Sequence, residues 1–236
     1  MDKEVQKELE AFQTAYFRGV LAVPKSVPKP SICYEADLSE MKYRIYSRLL
    51  NFFKHVHSQD SSSLAKLVLD EQLSNDWDGL SKVAKQIEEE LEISGVFNAD
   101  VRKQSYKKVV KEACHKKNDE SISNSINQYK KMSALRDELN KGNEYFFKDS
   151  LKDVRTLFRF RVDLFEAKKN FKNKKEYRDE KYLCDSCESE VDENTHVLHC
   201  RAYKDLREGK SMNNDEELCE YLQRVLEIRT SLRLNR

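Results

Sequence analysis

Chain breakers are scarce: five glycines and three prolines serve 236 residues. Long stretches contain neither, which favours an all-helical chain. No apolar run approaches the ~20 residues of a membrane span, so no transmembrane segment is expected. The opening stretch, MDKEVQKELEAFQ, is charged and has no apolar core, so a secretory signal is not expected either. The setting these absences imply is intracellular, nuclear or cytoplasmic, with reduced thiols. Clustered cysteines are then expected to hold a metal and not a disulfide. Catalytic hallmarks are missing as well. There is no glycine-rich phosphate loop, no recognisable Ser or Cys nucleophile elbow, and no adjacent pair of aspartates. Two-metal polymerases and nucleases need clustered carboxylates, and the run Glu88–Glu90 is mid-helix, where its side chains fan around the axis. The expectation is a protein that is not an enzyme.

What is present supports a folded core. Hydrophobic residues make up 39% of the chain and charged residues 36%, and eleven Phe and eleven Tyr argue against wholesale disorder. The net charge of +1 is unevenly spread. Residues 1–100 carry 12 basic and 17 acidic side chains, residues 101–182 carry 23 and 13, and residues 183–236 carry 8 and 12. A block of net +10 thus lies between two acidic ends. Three regions follow: 1–95, helical with a Pro-rich connector; 96–180, helical and basic; and 181–236, a small metal module with a terminal helix.

Helical periodicity recurs along the chain. Residues 3–19 place Val5, Leu9, Phe12, Tyr16 and Phe17 on one stripe. VPKSVPKP, holding Pro24, Pro28 and Pro30, reads as an extended connector. Asp37 with Glu40 resembles a capping box for a helix whose expected core stripe is Met41, Ile45, Leu49, Phe52 and Phe53. His55 and His57 close that helix. Short helices follow around Leu64 and Leu80, with Trp77 between them. The chain breaks near Ser94-Gly95. Two basic helices are expected over 100–116 and 119–140, and a strongly periodic one over 145–167. Cys114 and Cys219 read as packing residues. The expected architecture is all-α, an irregular multi-helix bundle of about seven to nine helices, with any strand confined to a hairpin near Cys184–Cys187.

The densest chemistry is CDSCESEVDENTHVLHC. Three of the six cysteines lie within these 17 residues. Cys184, Cys187, His196 and Cys200 form C-x2-C-x8-H-x3-C. A tight turn would supply the first pair, and one helical turn would put His196 and Cys200 on the same face. Tetrahedral zinc takes such a set, and three thiolates with one imidazole close the tetrahedron, as structural sites do. His199 is an alternative imidazole. Just upstream, KKNFKNKKEYR interleaves Lys168, Lys169, Lys172, Lys174 and Lys175 with Phe171 and Tyr177. Cations among aromatics suit nucleic-acid contact, by phosphate neutralisation and base stacking.

Three blocks in order resemble the C-terminal, post-polymerase region of non-LTR retrotransposon reverse-transcriptase proteins. The first is a thumb-like stretch with Leu21, Val23, Pro24, Lys25, Ser26 and Pro28, then Arg44 and Ile45. The second is VRTLFRFRVDLFEAKKNFKNK, with Arg155, Arg159, Arg161, Lys168, Asn170 and Phe171. The third is the Cys/His set followed by Tyr203, Leu206 and Arg207, similar to a zinc knuckle. Residues 60–145 carry little of the likeness, and H-x3-C is one residue shorter than the H-x4-C common in such knuckles. The family's palm aspartates and nuclease domain are missing. The resemblance implies a fragment or remnant that binds RNA or DNA, single-stranded or as template/target duplex, without synthesising it. It adds Arg155, Arg159 and Arg161 to the lysines as phosphate contacts, with Phe171 or Tyr177 as the stacking platform. A helical protein–protein interaction module is the other reading.

Overall fold

A computed structural model describes residues 3–75, 79–128, 145–148, 150–165, 167 and 182–234. Among them the fold is all-α. The helices are α1 (Lys3–Leu21), α2 (Lys29–Glu35), α3 (Met41–His57), α4 (Leu64–Ser74), α5 (Leu80–Leu91), α6 (Lys103–Ile126), α7 (Tyr145–Lys148), α8 (Leu151–Arg161), α9 (Asn194–His199), α10 (Lys204–Arg207) and α11 (Asp215–Leu234). The only extended pairing among the described residues is an isolated antiparallel bridge between Leu183 and Val191. The chain forms two compact units, Met1–Ala15 with Ser39–Asn124, and Tyr16–Leu38 with Ser125–Arg236. It therefore divides differently from the three consecutive segments read off the sequence. Trp77 lies outside the described residues.

In the first unit α3, α4 and α5 pack on one another. Their core gathers Leu50, Phe53, Val56, Leu69, Ile87 and Leu91, with Tyr106, Val110 and Cys114 from α6. The stripe expected on α3 is displaced. Phe52 is exposed and Met41, Ile45 and Leu49 are only half-buried, while Tyr43, Leu50, Phe53 and Val56 form the inner face. A polar network closes this core. Lys54, 1% exposed, donates to the carbonyls of Gly95 and Asn98 at 2.9 and 2.5 Å. Glu88 accepts from Val96 N–H at 2.9 Å and from the Tyr106 hydroxyl at 2.7 Å. The Ser94-Gly95 break has a steric cause: Gly95 sits at φ +121°, where a Cβ would meet Val101 at 3.3 Å. The Glu88–Glu90 side chains do diverge, Glu88 inward and Glu90 to Lys42 and Tyr46.

Two expectations for this unit need correction. Residues 103–126 form one continuous helix, not the end of one and the start of another. The apolar stripe of α1 is not core: Val5, Leu9 and Phe12 are 49%, 36% and 73% exposed. The inward face is polar instead. Gln13 donates to the Ser39 carbonyl at 3.2 Å, and Glu10 accepts from Lys42 N–H at 3.3 Å.

In the second unit the Pro-rich connector is half helical. Val27 N–H bonds back to the Pro24 carbonyl at 3.1 Å, Pro28 is the N-cap of α2, and Pro30 stands in its first turn. Proline lacks an N–H that the first turn does not use, which is why it starts this helix instead of preventing it. Asp37 is not the cap of α3; it follows α2 at φ +49°, and Glu40 is the N-cap residue.

The helix expected over 145–167 is split by Ser150, whose hydroxyl accepts from Asp153 N–H at 3.3 Å and donates to the Asp153 carboxylate at 2.6 Å. Ser-x-x-Asp is an N-terminal signature, so this start was legible. Ser150→Ala is expected to cost about 1 kcal/mol. The check is the urea midpoint of the second unit; an unchanged midpoint excludes a working cap. The inner face of α8 (Val154, Leu157, Phe158, Phe160) packs on that of α11 (Leu218, Leu222, Val225).

Candidate metal centre

Cys184, Cys187, His196 and Cys200 are all buried, and one ligand atom from each lies within 4.8 Å of the others. Cys184 Sγ is 3.9 Å from Cys200 Sγ, and Cys187 Sγ is 3.5 Å from His196 Nε2. A tetrahedron with zinc–sulfur bonds of ~2.3 Å and a zinc–nitrogen bond of ~2.0 Å puts sulfurs ~3.8 Å apart and sulfur–nitrogen pairs ~3.5 Å apart. These two separations match a single ion between the four donors. All six cysteines are free thiols.

Local structure explains the assembly. Tyr182 to Asp192 fold back as a short hairpin: Cys184 N–H donates to the Glu190 carbonyl at 2.9 Å and Asp192 N–H to the Tyr182 carbonyl at 2.7 Å. Inside it, Glu188 N–H closes a turn on the Cys184 carbonyl at 2.8 Å, and Glu188 takes φ +55° to do so. The second pair of ligands comes from α9 and its C-cap. Cys200 N–H bonds to the His196 carbonyl at 2.7 Å, so the i, i+4 spacing puts both side chains on one face.

The choice between imidazoles is resolved. His196 is buried among the thiols, and its Nδ1 faces the Glu190 carboxylate at 3.1 Å. Nδ1–H donating to the carboxylate leaves Nε2 for a cation, the usual orientation of a metal-bound histidine. His199 is exposed. Cys219 is buried elsewhere, its thiol 3.9 Å from the Asp153 carbonyl.

The electrostatics also call for a cation. Burial works against ionising Cys187, but hydrogen bonds from Ser189 and from the Ser189 and Glu190 backbone outweigh it and lower the thiol to about 6. Cys200 is pushed up to about 12, by burial first and then by Cys184 and Cys187 beside it. A thiolate is favourable at Cys187 and unfavourable at Cys200, a disparity that a positive charge between them would offset.

Residues outside the ligand set hold the centre. Arg201 donates to the Cys187 carbonyl at 3.0 Å and Arg207 to the Cys200 carbonyl at 2.8 Å. Asp192 and Arg229, 2% and 3% exposed, form a two-pronged buried ion pair at 2.6 and 3.3 Å. Arg229 Nε also donates to Tyr203 Oη at 3.1 Å, which lies 2.6 Å from Ser186 Oγ. Asn194 donates to the Phe160 carbonyl at 2.7 Å. The ligand loop is thereby tied to both α8 and α11.

The arginines read as phosphate contacts have other partners. Arg161 is buried, donates to Asp215 at 2.5 Å, lies 3.8 Å from Glu35 and stacks over the Tyr145 ring. Buried among these partners, it is withdrawn as a phosphate contact. Arg155 Nε donates to the Val20 carbonyl at 2.9 Å and Arg159 to the Ala22 carbonyl at 2.7 Å. Both satisfy carbonyls at the C-terminal end of α1, where cations are favourable. Arg159 is exposed and Arg155 half-buried. Lys168, Lys169, Phe171, Lys172, Lys174, Lys175 and Tyr177 lie outside the described residues. No helix among the described residues is long and apolar enough to cross a membrane.

No protein-family model, curated protein or solved structure matches this chain.

Proposed function

We propose that the chain is a non-catalytic, zinc-stabilised nucleic-acid-binding module, of the kind the retrotransposon reverse-transcriptase tails it resembles would supply. The buried Cys3His group carries the first half of this reading. Its four donors fill a tetrahedron and leave no open coordination position, so the ion's role is structural. Three soft thiolates select zinc over magnesium or calcium. Zinc content of the purified chain tests the metal, with one ion per chain expected.

The excess of cations in residues 101–182 supports the second half. A field of that sign draws polyanions to the segment leading into the knuckle. Lys168, Lys169, Lys172, Lys174 and Lys175 are the proposed phosphate contacts, with Phe171 or Tyr177 stacking on a base. Arg159, exposed beside its carbonyl partner, can add to them. Replacing Lys172, Lys174 and Lys175 with Ala is expected to weaken RNA and DNA binding alike across sequences. It also lowers the salt slope by roughly one unit per lost phosphate contact. Fluorescence anisotropy at several salt concentrations reads both quantities. A wild-type chain without affinity at low salt sinks the reading.

The exposed face of α1, with Val5, Leu9 and Phe12 at helical spacing, favours a protein–protein interaction module as the second reading. In that case the same titration returns nothing with nucleic acid.

A further inference from the structure

Four described lysines on α3 to α6 have a carboxylate partner. Lys42 pairs with Glu90, Lys66 with Asp70 at 2.5 Å and Lys117 with Glu92 at 2.5 Å; Lys108 is 3.9 Å from Glu112. Acidic side chains are not in short supply, 42 against 43 basic ones. Against that background, Arg44, Arg48 and Lys111 have no carboxylate within ion-pair distance among the described residues, and all three line one concavity.

The concavity is a groove of about 390 Å³ between α3 and α6. Arg44 and Arg48 stand one helical turn apart on one wall, Lys111 and His115 one turn apart on the other, and Ser39 and Ser47 add hydroxyls. The floor is neutral. Tyr43 and Cys114 are buried; burial raises the Cys114 thiol to about 11, and burial first, then the carboxylates of Glu40, Glu90 and Glu120 nearby, raises the Tyr43 hydroxyl. His115 is already engaged, with Nδ1 2.9 Å from Asp119. Lys107, exposed one turn before Lys111, extends the row.

We infer that this groove binds the phosphodiester backbone of a single nucleic-acid strand, with Arg44, Arg48 and Lys111 as its phosphate contacts. The inference rests on the nucleic-acid reading above and places a binding site in the first unit, apart from the lysine run near the metal centre. Guanidinium groups can grip phosphate oxygens in pairs, and an ammonium on the facing wall supplies a point charge. Such a groove with hydroxyl donors and no acidic lining residue suits an unpaired polyanion better than a duplex two strands wide.

The test is anisotropy of a labelled 20-nucleotide poly(U) RNA on the zinc-loaded full chain, from low to moderate salt. The triple variant Arg44→Gln/Arg48→Gln/Lys111→Gln is expected to bind on the order of 100-fold more weakly near 0.1 M salt, with a slope reduced by about two units. A charge-matched control, Lys204→Gln/Arg224→Gln/Arg233→Gln, is expected to bind nearly as wild type does. Circular dichroism and zinc content certify both folds, and single Lys111→Glu serves if the triple variant misfolds. If wild type binds and the groove variants bind equally well, or the control loses as much, the groove is not the site and the broader reading survives. If wild type does not bind at low salt, that reading falls and the groove with it. Equal competition by poly-glutamate would reassign the groove to acidic protein segments and overturn the proposal.

Discussion

Cys187→Ser is expected to lose the metal and to unfold the segment from about residue 182 to residue 203, while the first unit stays folded. Apparent binding energies of structural zinc sites reach about 10–16 kcal/mol, and that energy is also local folding energy because the unfolded segment offers no preformed site. The hairpin is small: its backbone pairing is a single bridge, Leu183 with Val191, two ligands come from it and two from α9, and without the ion the ties of Asp192 and Ser186 to the Arg229–Tyr203 pair are what remains. A serine hydroxyl is no substitute for the thiolate that faces His196 Nε2. The first unit keeps its own apolar core in α3 to α6 and contains none of the ligands. Two measurements check this. A zinc titration reads one ion per wild-type chain and none in the variant. Hydrogen exchange finds 183–200 unprotected in the variant, with α3 and α5 as in wild type. A variant that retains its zinc, or a wild type that never carries stoichiometric metal, removes the ion from the account. Chelation of the wild type is expected to reproduce the variant's exchange pattern, since both act through the same missing ion.

The ligand set was legible because each of its two pairs is local: a turn of four residues, then one helical turn from His196 to Cys200. Local geometry settles both. What supports the ligands was not legible. Glu190, which orients His196, lies six residues away in a loop with no motif to mark it. The arginines show the same limit more sharply. On a helical wheel a solvent-facing arginine and one that satisfies a distant carbonyl look alike. Arg155 and Arg159 reach carbonyls 135 and 137 residues upstream, and no spacing rule covers that separation.

The fold class followed from periodicity and the lack of breakers, but which face of a helix turns inward did not always follow. In α1 the polar side of Glu10, Gln13 and Thr14 meets the first unit, because backbone groups at the start of α3 need partners there. The strongest apolar stripe is left outward. At Ser150 the capping signature lies inside a continuous apolar periodicity, which runs through the break and hides it.

The Asp192–Arg229 pair offers the second large effect. Both groups are almost fully buried and bonded through two prongs. Arg229 stands on α11, and Asp192 closes the hairpin, its N–H on the Tyr182 carbonyl. Removing one partner leaves the other charge buried without its counter-charge, a loss of about 3–5 kcal/mol. Asp192→Ala and Arg229→Ala are each expected to fall in that range. The arginine change also strips Tyr203 of a donor. Replacing both, as Asp192→Leu with Arg229→Met, removes the stranded charge, so the double variant is expected to recover a large part of the loss and the two changes to be far from additive. Denaturant unfolding of the zinc-loaded chain, followed by zinc release, isolates the second unit. The far-ultraviolet signal of the first unit serves as the internal reference. Because neither residue is a metal ligand, all three variants are expected to bind one zinc in the absence of denaturant and to release it at lower urea than wild type. Additive losses, or a single variant within 1 kcal/mol of wild type, would mean the pair is not what fastens the metal loop to α11.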